Sequence, residues 1–284
     1  MSEKLRWSKM KKNEEAATEV FLRKSEGYYV GACSRFIGRA ASDKTWILSG
    51  RDSSIRAIIL HSKRGILPVF CGQTEIPPPP FICGFFAAKN INSILGLKAE
   101  VLRLEGFMEG AGRKAYDKID YDLMVLDQSP GEKSLSPSPA GLVLRKPLPA
   151  DFDSLAGLQA AYEQEEVLPA GAVFSPAASR ANLERLLEKA EILVAELDGR
   201  LVGKINVNAV SYTQVQIGGV YVRPDCRGQG IARRMTAFFA DSLFRCAGIA
   251  AVSLFVKKAN LAARALYDRL GFAPKADFRI SYYK

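Results

Sequence analysis

Val220-Tyr221-Val222-Arg223-Pro224-Asp225-Cys226-Arg227-Gly228-Gln229-Gly230-Ile231-Ala232 decides how the second half of this chain is read. An apolar strand halts at Pro224, a glycine-rich turn follows, and a helix opens. A helix start leaves main-chain N–H groups unpaired and carries the positive end of the helix dipole. Gly228 and Gly230 lack side chains, so an anion can approach the backbone closely. Arg227 adds a charge-assisted donor. The anion best matched to such a turn is a diphosphate. Two rival phosphate turns fail. The dinucleotide fingerprint needs Gly or Ala three residues after Gly230, where Arg233 stands. It also needs an acidic residue closing the next strand, and residues 251–258 offer none. The nucleotide P-loop needs Gly-Lys-Ser/Thr, which Gly230-Ile231-Ala232 does not supply.

Arg227-Gly228-Gln229-Gly230-Ile231-Ala232 matches, at every fixed position, the Gln/Arg-x-x-Gly-x-Gly/Ala pyrophosphate motif of the GNAT N-acetyltransferase superfamily. Further on, Asn260-Leu261-Ala262-Ala263-Arg264-Ala265-Leu266-Tyr267-Asp268-Arg269-Leu270-Gly271-Phe272 resembles that family's Asn-x-x-Ala-x-x-Leu-Tyr-x-x-Leu-Gly-Phe ending. The resemblance covers residues 142–284. It implies an α/β (α+β) domain of the GNAT fold, with a mixed central sheet and flanking helices. It implies acetyl-CoA as cosubstrate, no metal, and transfer of an acetyl group to a primary amine by direct attack in a ternary complex. Residue by residue, Val220, Tyr221 and Val222 would splay from their neighbour and pair with the pantetheine arm, like an added strand. Arg227, Gly228, Gln229, Gly230, Ile231 and Ala232 would hold the diphosphate. A main-chain N–H near Val222 would polarise the thioester, Asn260 would touch the cofactor near its sulfur, and Tyr267 would protonate the departing thiolate.

Each of these residues has a plainer reading. Tyr267 lies on an amphipathic helix, where an aromatic is usually core. Asn260 is well placed to cap the helix that follows it. Cys226, near a helix start, is either a depressed thiol or a small packing residue. No carboxylate stands in Gln214-Val215-Gln216-Ile217-Gly218-Gly219-Val220, where many relatives carry a general base. The substitutes are in Glu163-Gln164-Glu165-Glu166, and Glu165 and Glu166 are the candidate catalytic pair. They would hold a cationic amine or relay its proton through water. A solvated acidic helix end explains the same run. The missing strand carboxylate leaves a second function open: a non-catalytic acyl-CoA-binding regulatory module.

Around this segment the second half reads β-α-α-β-β-β-α-β-α-β. Residues 142–145 are a strand. Residues 151–165 form a helix with Phe152, Leu155, Leu158 and Tyr162 on one face and Asp151 as its N-cap. Residues 178–189 form a second helix. Residues 192–196 and 201–207 form a hairpin across Asp198-Gly199. Residues 214–222, 251–256 and 278–283 are strands, and residues 230–244 and 261–270 are helices. Residues 128–141, rich in Pro, Ser and Gly, read as a linker. The domains are therefore expected at 1–127 and 142–284. The first reads as mixed α/β: a helix at 14–24, strands at 45–48, 55–61 and 65–71, a stiff Pro77-Pro78-Pro79-Pro80 break, an apolar helix at 81–95 and a strand at 121–126. Phe21-Leu22 through Phe36, Trp46-Ile47 and Ala57-Ile58-Ile59-Leu60-His61 loosely resemble a domain preceding some bacterial acetyltransferases, which implies a degenerate GNAT-like half without a phosphate-binding turn.

Composition bounds the rest. The chain has 284 residues, 48% of them apolar and 25% charged, enough for two ordinary cores. No apolar run approaches membrane-helix length, and the start has no apolar signal region, so a cytoplasmic protein is expected. Five scattered cysteines without a Cys-x-x-Cys argue against disulfides and zinc. The single histidine, His61, argues against a His-based triad or multi-His metal site and reads as a strand end. The net charge is +10, but the basic residues are spread and no stacking-aromatic motif accompanies them. That suits an anionic cofactor better than nucleic acid. The expected partner is a small-molecule or peptide amine; the oligomeric state is not written in the sequence.

Overall fold

The computed structural model describes residues 5–62, 65–73, 75–83, 90–130 and 139–284. The chain divides into two compact units, Met1–Leu123 with Lys275–Lys284, and Met124–Pro274. The expected linker lies mostly at 131–138, outside the described residues.

Unit 1 contains β1 (Arg6–Lys9), α1 (Glu15–Arg23), α2 (Val30–Ile37), β2 (Lys44–Ser49), β3 (Ile55–Ser62), β4 (Gly65–Val69), β5 (Ser93–Leu97), α3 (Lys98–Gly110) and most of β6 (Asp117–Leu126). The returning C-terminal segment adds most of β12 (Ala273–Tyr282). The sheet order is β1-β2-β3-β4-β5-β12-β6. β1 to β4 pair antiparallel, β4 meets β5 in parallel at Ile66↔Ile94, and β12 runs antiparallel to β5 from Phe278↔Leu97 to Tyr282↔Ser93. Ala57, Ile58, Ile59 and Leu60 of β3 are buried in succession, as a strand covered on both faces requires. His61 closes that strand with its ring 5.0 Å from Phe81, as a strand-end histidine should.

Three expectations need correction. Residues 81–95 were read as one helix. Residues 84–89 lie outside the described residues, and Ser93–Leu97 is a strand. The polar residues Lys89, Asn90, Asn92 and Ser93 break the apolar run before the strand begins, and Ile91 and Ile94 are buried. Asp151 holds the N-cap position of the helix that starts at Phe152 but gives that helix no side-chain cap bond; its carboxylate accepts the Leu148 N–H at 2.6 Å, closing the preceding turn, and binds the Arg145 guanidinium at 2.6 Å. The last strand, read as part of the second domain, belongs from Lys275 onward to unit 1, because its ladder is with β5.

Unit 2 contains β7 (Leu142–Arg145), α4 (Phe152–Tyr162), α5 (Pro176–Lys189), β8 (Ile192–Leu197), β9 (Arg200–Val210), β10 (Gln214–Val222), α6 (Ile231–Phe244), β11 (Ala251–Lys257) and α7 (Leu261–Arg269). The order β11-β10-β9-β8-β7 is antiparallel except for the parallel β10–β11 pair. Asp198 (φ 51°) and Gly199 (φ 79°) make the β8–β9 turn left-handed at both corners, the hairpin geometry that Asp-Gly favours. Ser175 caps α5 by accepting the Ala178 N–H, with Pro176 in the first helical position.

The two faces of this sheet are covered differently. α6 lays Ile231, Met235, Phe239 and Leu243 into the core with Ile205, Val207, Ile217 and Leu254. Each such side chain contributes about 1.5–3 kcal/mol by leaving water. On the other face α4 and α5 set Leu155, Leu158 and Leu183 against Ile192, Val194, Leu201 and Tyr221. Between these apolar patches, at the C-terminal end of β10, the ladder is incomplete. The site lies there.

Candidate active site

β10 pairs with β11 only from Gln214↔Ala251 to Ile217↔Leu254. From Gly218 to Val222 the β11 side of the strand has no ladder partner, so the two parallel strands part. Toward β9 the register also breaks. Gly218 faces Asn206 and Tyr221 faces Lys204, so Gly219 and Val220 oppose Ile205 alone. This is a β-bulge, and Gly219 takes its left-handed corner with φ 61°. A side chain there would meet Asn206 Oδ1 at 2.0 Å, so the position needs glycine twice over.

After Val222 the chain turns through Pro224–Cys226 and enters α6 at Gly230. Gly228 (φ 80°) and Gly230 (φ 77°) are left-handed and exposed, and an added Cβ at either would touch nothing within 4 Å. No side chain caps α6. The Arg234 backbone N–H donates to the Gly230 carbonyl at 3.0 Å, the first bond of the helix, which leaves the preceding N–H groups to solvent or a ligand. The turn is therefore uncapped and open on the side where a Cβ at Gly228 or Gly230 would lie. Arg227 borders it, with Nε donating to the Val222 carbonyl at 2.9 Å and the guanidinium over the Tyr221 ring at 5.4 Å. Cys226 is buried in the core, as a packing residue should be.

A family model for the acetyltransferase (GNAT) family matches residues 158–272, the span that holds this turn and the Asn260–Phe272 segment. Residues 158–272 form a GNAT-family domain. Over 79 residues the chain is 33% identical to an uncharacterized N-acetyltransferase of Methanocaldococcus jannaschii, a stretch covering 28% of this chain and 50% of that protein. The chain thus spans half the length of that relative. Its fold is similar to a GCN5-related N-acetyltransferase from Sphaerobacter thermophilus, with TM-score 0.60, 15% identity and coverage of 98% of this chain and 94% of that one. It is also similar to a tandem GNAT protein from the clavulanic acid biosynthesis pathway, with TM-score 0.61, 11% identity and 98% of each chain covered. The GNAT fold is the mixed α/β architecture expected from the motifs, and the family activity is acyl transfer.

Within the GNAT domain, several expected site residues converge. Asn260 caps α7, its Oδ1 accepting the Ala263 N–H at 3.0 Å, while its Nδ2 donates to Glu166 at 3.3 Å. Tyr267 is buried in the core with its ring edge-on to Phe272 at 5.8 Å. Burial, then Tyr162 and Glu166, hold its phenol above the ordinary range, so it keeps its proton throughout the neutral range. The core and site readings of Tyr267 are thus compatible. Glu165 and Glu166 lie on a π-helical turn, Glu163–Val167, closed by Leu168 N–H to Glu163 carbonyl at 2.9 Å. Glu165 lies beside the turn through Arg227, whereas Glu166 lies against Lys257 and Asn260. Glu165 pairs with Arg227 at 2.8 Å, and Glu166 pairs with Lys257 at 3.3 Å. The Arg227 pKa is raised chiefly by its bond to Glu165.

The sequence reading missed the centre of this arrangement. Lys204 is 1% exposed, in the middle of β9. Its Nζ donates to Asn206 Oδ1 and to the Gly219 carbonyl, both at 3.1 Å, and lies 4.7 Å from the Tyr162 ring centre. Burial lowers its pKa to about 7, against a smaller opposing pull from Glu163. Asn206 continues the polar stripe, donating to Asn208 Oδ1 at 2.8 Å, and Asn208 is exposed. Glu163 itself accepts from Gln159 at 2.8 Å and Asn182 at 3.1 Å. Tyr162 is pushed up to about 12 by burial, opposed by a hydrogen bond from the Gly219 backbone. The available signals were a lysine inside the apolar strand Leu201-Val202-Gly203-Lys204-Ile205 and a Gly218-Gly219 pair inside another. Among the described residues no group of His, Cys, Asp and Glu could hold a metal ion, and no helix is long and apolar enough to cross a membrane.

Proposed function

We propose that unit 2 transfers an acetyl group from acetyl-CoA to a primary amine by direct attack in a ternary complex. The observation that carries this is the splayed end of β10 running into an uncapped, glycine-lined helix start. An extended, amide-containing arm fits the unpaired edge of β10, and a diphosphate fits the turn where added Cβ atoms would meet empty space. Bound there, acetyl-CoA would supply an activated thioester.

The chain's own groups then divide the work. Main-chain N–H groups from Val220 to Val222 hold the arm and polarise the thioester carbonyl. Gly228, Gln229, Gly230, Ile231 and Ala232 give backbone donors to the diphosphate, and Arg227 neutralises it. Tyr267, kept protonated by burial, gives its proton to the leaving thiolate. Asn260 steadies the start of α7 beside that sulfur. Glu165 and Glu166 draw a cationic amine to the site and pass its proton to water. Holding both reactants in one cleft supplies most of the acceleration.

Thiol release from acetyl-CoA, followed with a panel of primary amines, tests the reading. Amine-dependent release supports it. Tight acetyl-CoA binding by calorimetry with no release for any amine would leave the regulatory module, which the absence of a carboxylate on β10 favours. No heat of binding at millimolar acetyl-CoA removes both.

A further inference from the structure

We propose that Lys204 is a positioning residue for acetyl transfer: with Tyr162 it clamps both backbone polar groups of the bulge glycine, Gly219, and so sets the orientation of the strand end that receives the thioester. The clamp is built from three elements. Lys204 comes from β9, Tyr162 from the end of α4, and Gly219 from β10. A bulge removes its residues from the ladder and orphans their N–H and C=O. Here both are recovered by side chains. The Gly219 carbonyl accepts from Lys204 Nζ at 3.1 Å. The Gly219 backbone also bonds the Tyr162 hydroxyl, and because that bond favours the phenolate, the donor is the Gly219 N–H.

The consequence follows from peptide planarity. The Gly219 carbonyl and the Val220 N–H belong to one trans peptide and point in opposite directions. Holding the carbonyl against Lys204 turns the Val220 N–H away from Lys204 and sets the course of the strand to Val222. Lys204 does not touch the reacting atoms. It is 1% exposed, and two acceptors and the Tyr162 ring face surround its nitrogen. A lysine serving as base or acceptor would need a free face toward the cleft. This one is spent on the backbone. The packing around the bulge is close: a Cβ on Gly219 would lie 2.0 Å from Asn206 Oδ1 and 2.7 Å from Lys204 Nζ, so glycine lets both side chains reach the backbone there.

The proposal rests on the acetyl-transfer reading, so its test has one arm that does not need activity. Lys204→Met removes the donor while keeping a long apolar stem, and Tyr162→Phe removes the acceptor while keeping the ring. Amide exchange by mass spectrometry is expected to accelerate over residues 218–222 in both variants. Protection elsewhere in the sheet should hold. With an acceptor amine found, kcat should fall roughly 100-fold in Lys204→Met, the scale of a misplaced reacting centre. The acetyl-CoA affinity, set mainly by the turn at 227–232, should stay within about 3-fold. Unchanged exchange over 218–222 in both variants overturns the clamp whether or not the wild type turns over. Faster exchange with unchanged kcat overturns the positioning role alone. If Lys204→Met does not fold, Tyr162→Phe decides by the same two readouts.

Discussion

β4 in unit 1 and β10 in unit 2 end alike and are completed differently. Each has a parallel neighbour, each runs out into a turn, and each turn carries an exposed glycine with nearly the same dihedral, Gly72 at φ 81° and Gly228 at φ 80°. In unit 1 the donors are already taken. Glu100 reaches the end of β4 and accepts the Phe70 N–H at 2.8 Å, the Tyr29 hydroxyl bonds the same carboxylate oxygen at 2.6 Å, and the Cys71 N–H donates to that hydroxyl at 3.2 Å. In unit 2 no side chain caps the turn, and a cation, Arg227, stands beside it. Similar backbone shape is thus paired with different occupancy of the donors: a carboxylate of the protein holds them at the end of β4, and no side chain caps the start of α6. The two units also bury titratable groups of opposite sign. Burial drives Glu100 up to about 7 and Lys204 down to about 7, each toward its neutral form.

The largest effect should come from testing the two glycines as a pair. Gly228→Glu puts a carboxylate where the diphosphate would lie and should weaken acetyl-CoA binding by roughly 100-fold or more, since it sets a like charge against the anion. Gly72→Glu carries the same left-handed strain into open space and should leave that affinity unchanged. Calorimetry reads both. An equal loss in the two variants would break the comparison by making unit 1 a second cofactor site.

Tyr267→Phe should lower turnover by about 100-fold while acetyl-CoA affinity stays within about 3-fold, as expected for loss of a proton donor alone. Equal losses in both, or in neither, would return Tyr267 to a packing role.

The two buried groups, one in each unit, should separate by pH. Glu100 has a folded pKa above its ordinary 4.5, so its folded form binds more protons between pH 4.5 and about 7. Its contribution to stability is present at low pH and is lost as pH rises through that window. Lys204 has a folded pKa below its ordinary 10.5, so the unfolded chain binds more protons between about pH 7 and 10.5. Its burial cost is complete below about pH 7 and is relieved as pH rises toward 10.5. Urea melts across pH should show the lower slope vanish in Glu100→Gln and the upper slope vanish in Lys204→Met. The converse pattern would overturn the assignment.

The smallest effect is expected at Glu165. It and Arg227 are 42% and 44% exposed, so the pair should contribute no more than about 1 kcal/mol. Glu165→Gln should leave stability nearly unchanged and raise acetyl-CoA affinity by about 3-fold, because Arg227 is then free for phosphate. A marked loss of affinity would show that the pair orders the turn.

Elements with a local cause were legible in advance. The Asp198-Gly199 hairpin, the Asn260 cap and the glycine turn at 228–230 depend on residues within a few positions of one another. Residues 93–97 were not legible, since Ser93-Ile94-Leu95-Gly96-Leu97 is too short to show a helical or a strand period until a sheet claims it. Asp151 was misread because a carboxylate beside a helix start has more than one partner within reach; here Arg145 won.

By itself the sequence determined the family-bearing motifs, the order of elements in unit 2 and the candidate anion turn. These rest on short-range sterics and on hydrogen bonds a few residues apart, which neighbouring side chains dictate. Tertiary structure alone decided that Lys204, Tyr162 and Gly219 meet, that Glu100 closes the end of β4, and that the final strand joins unit 1. Those pairings join residues far apart in the chain, and burial selects them: a polar group taken from water must find its partner wherever the fold brings one.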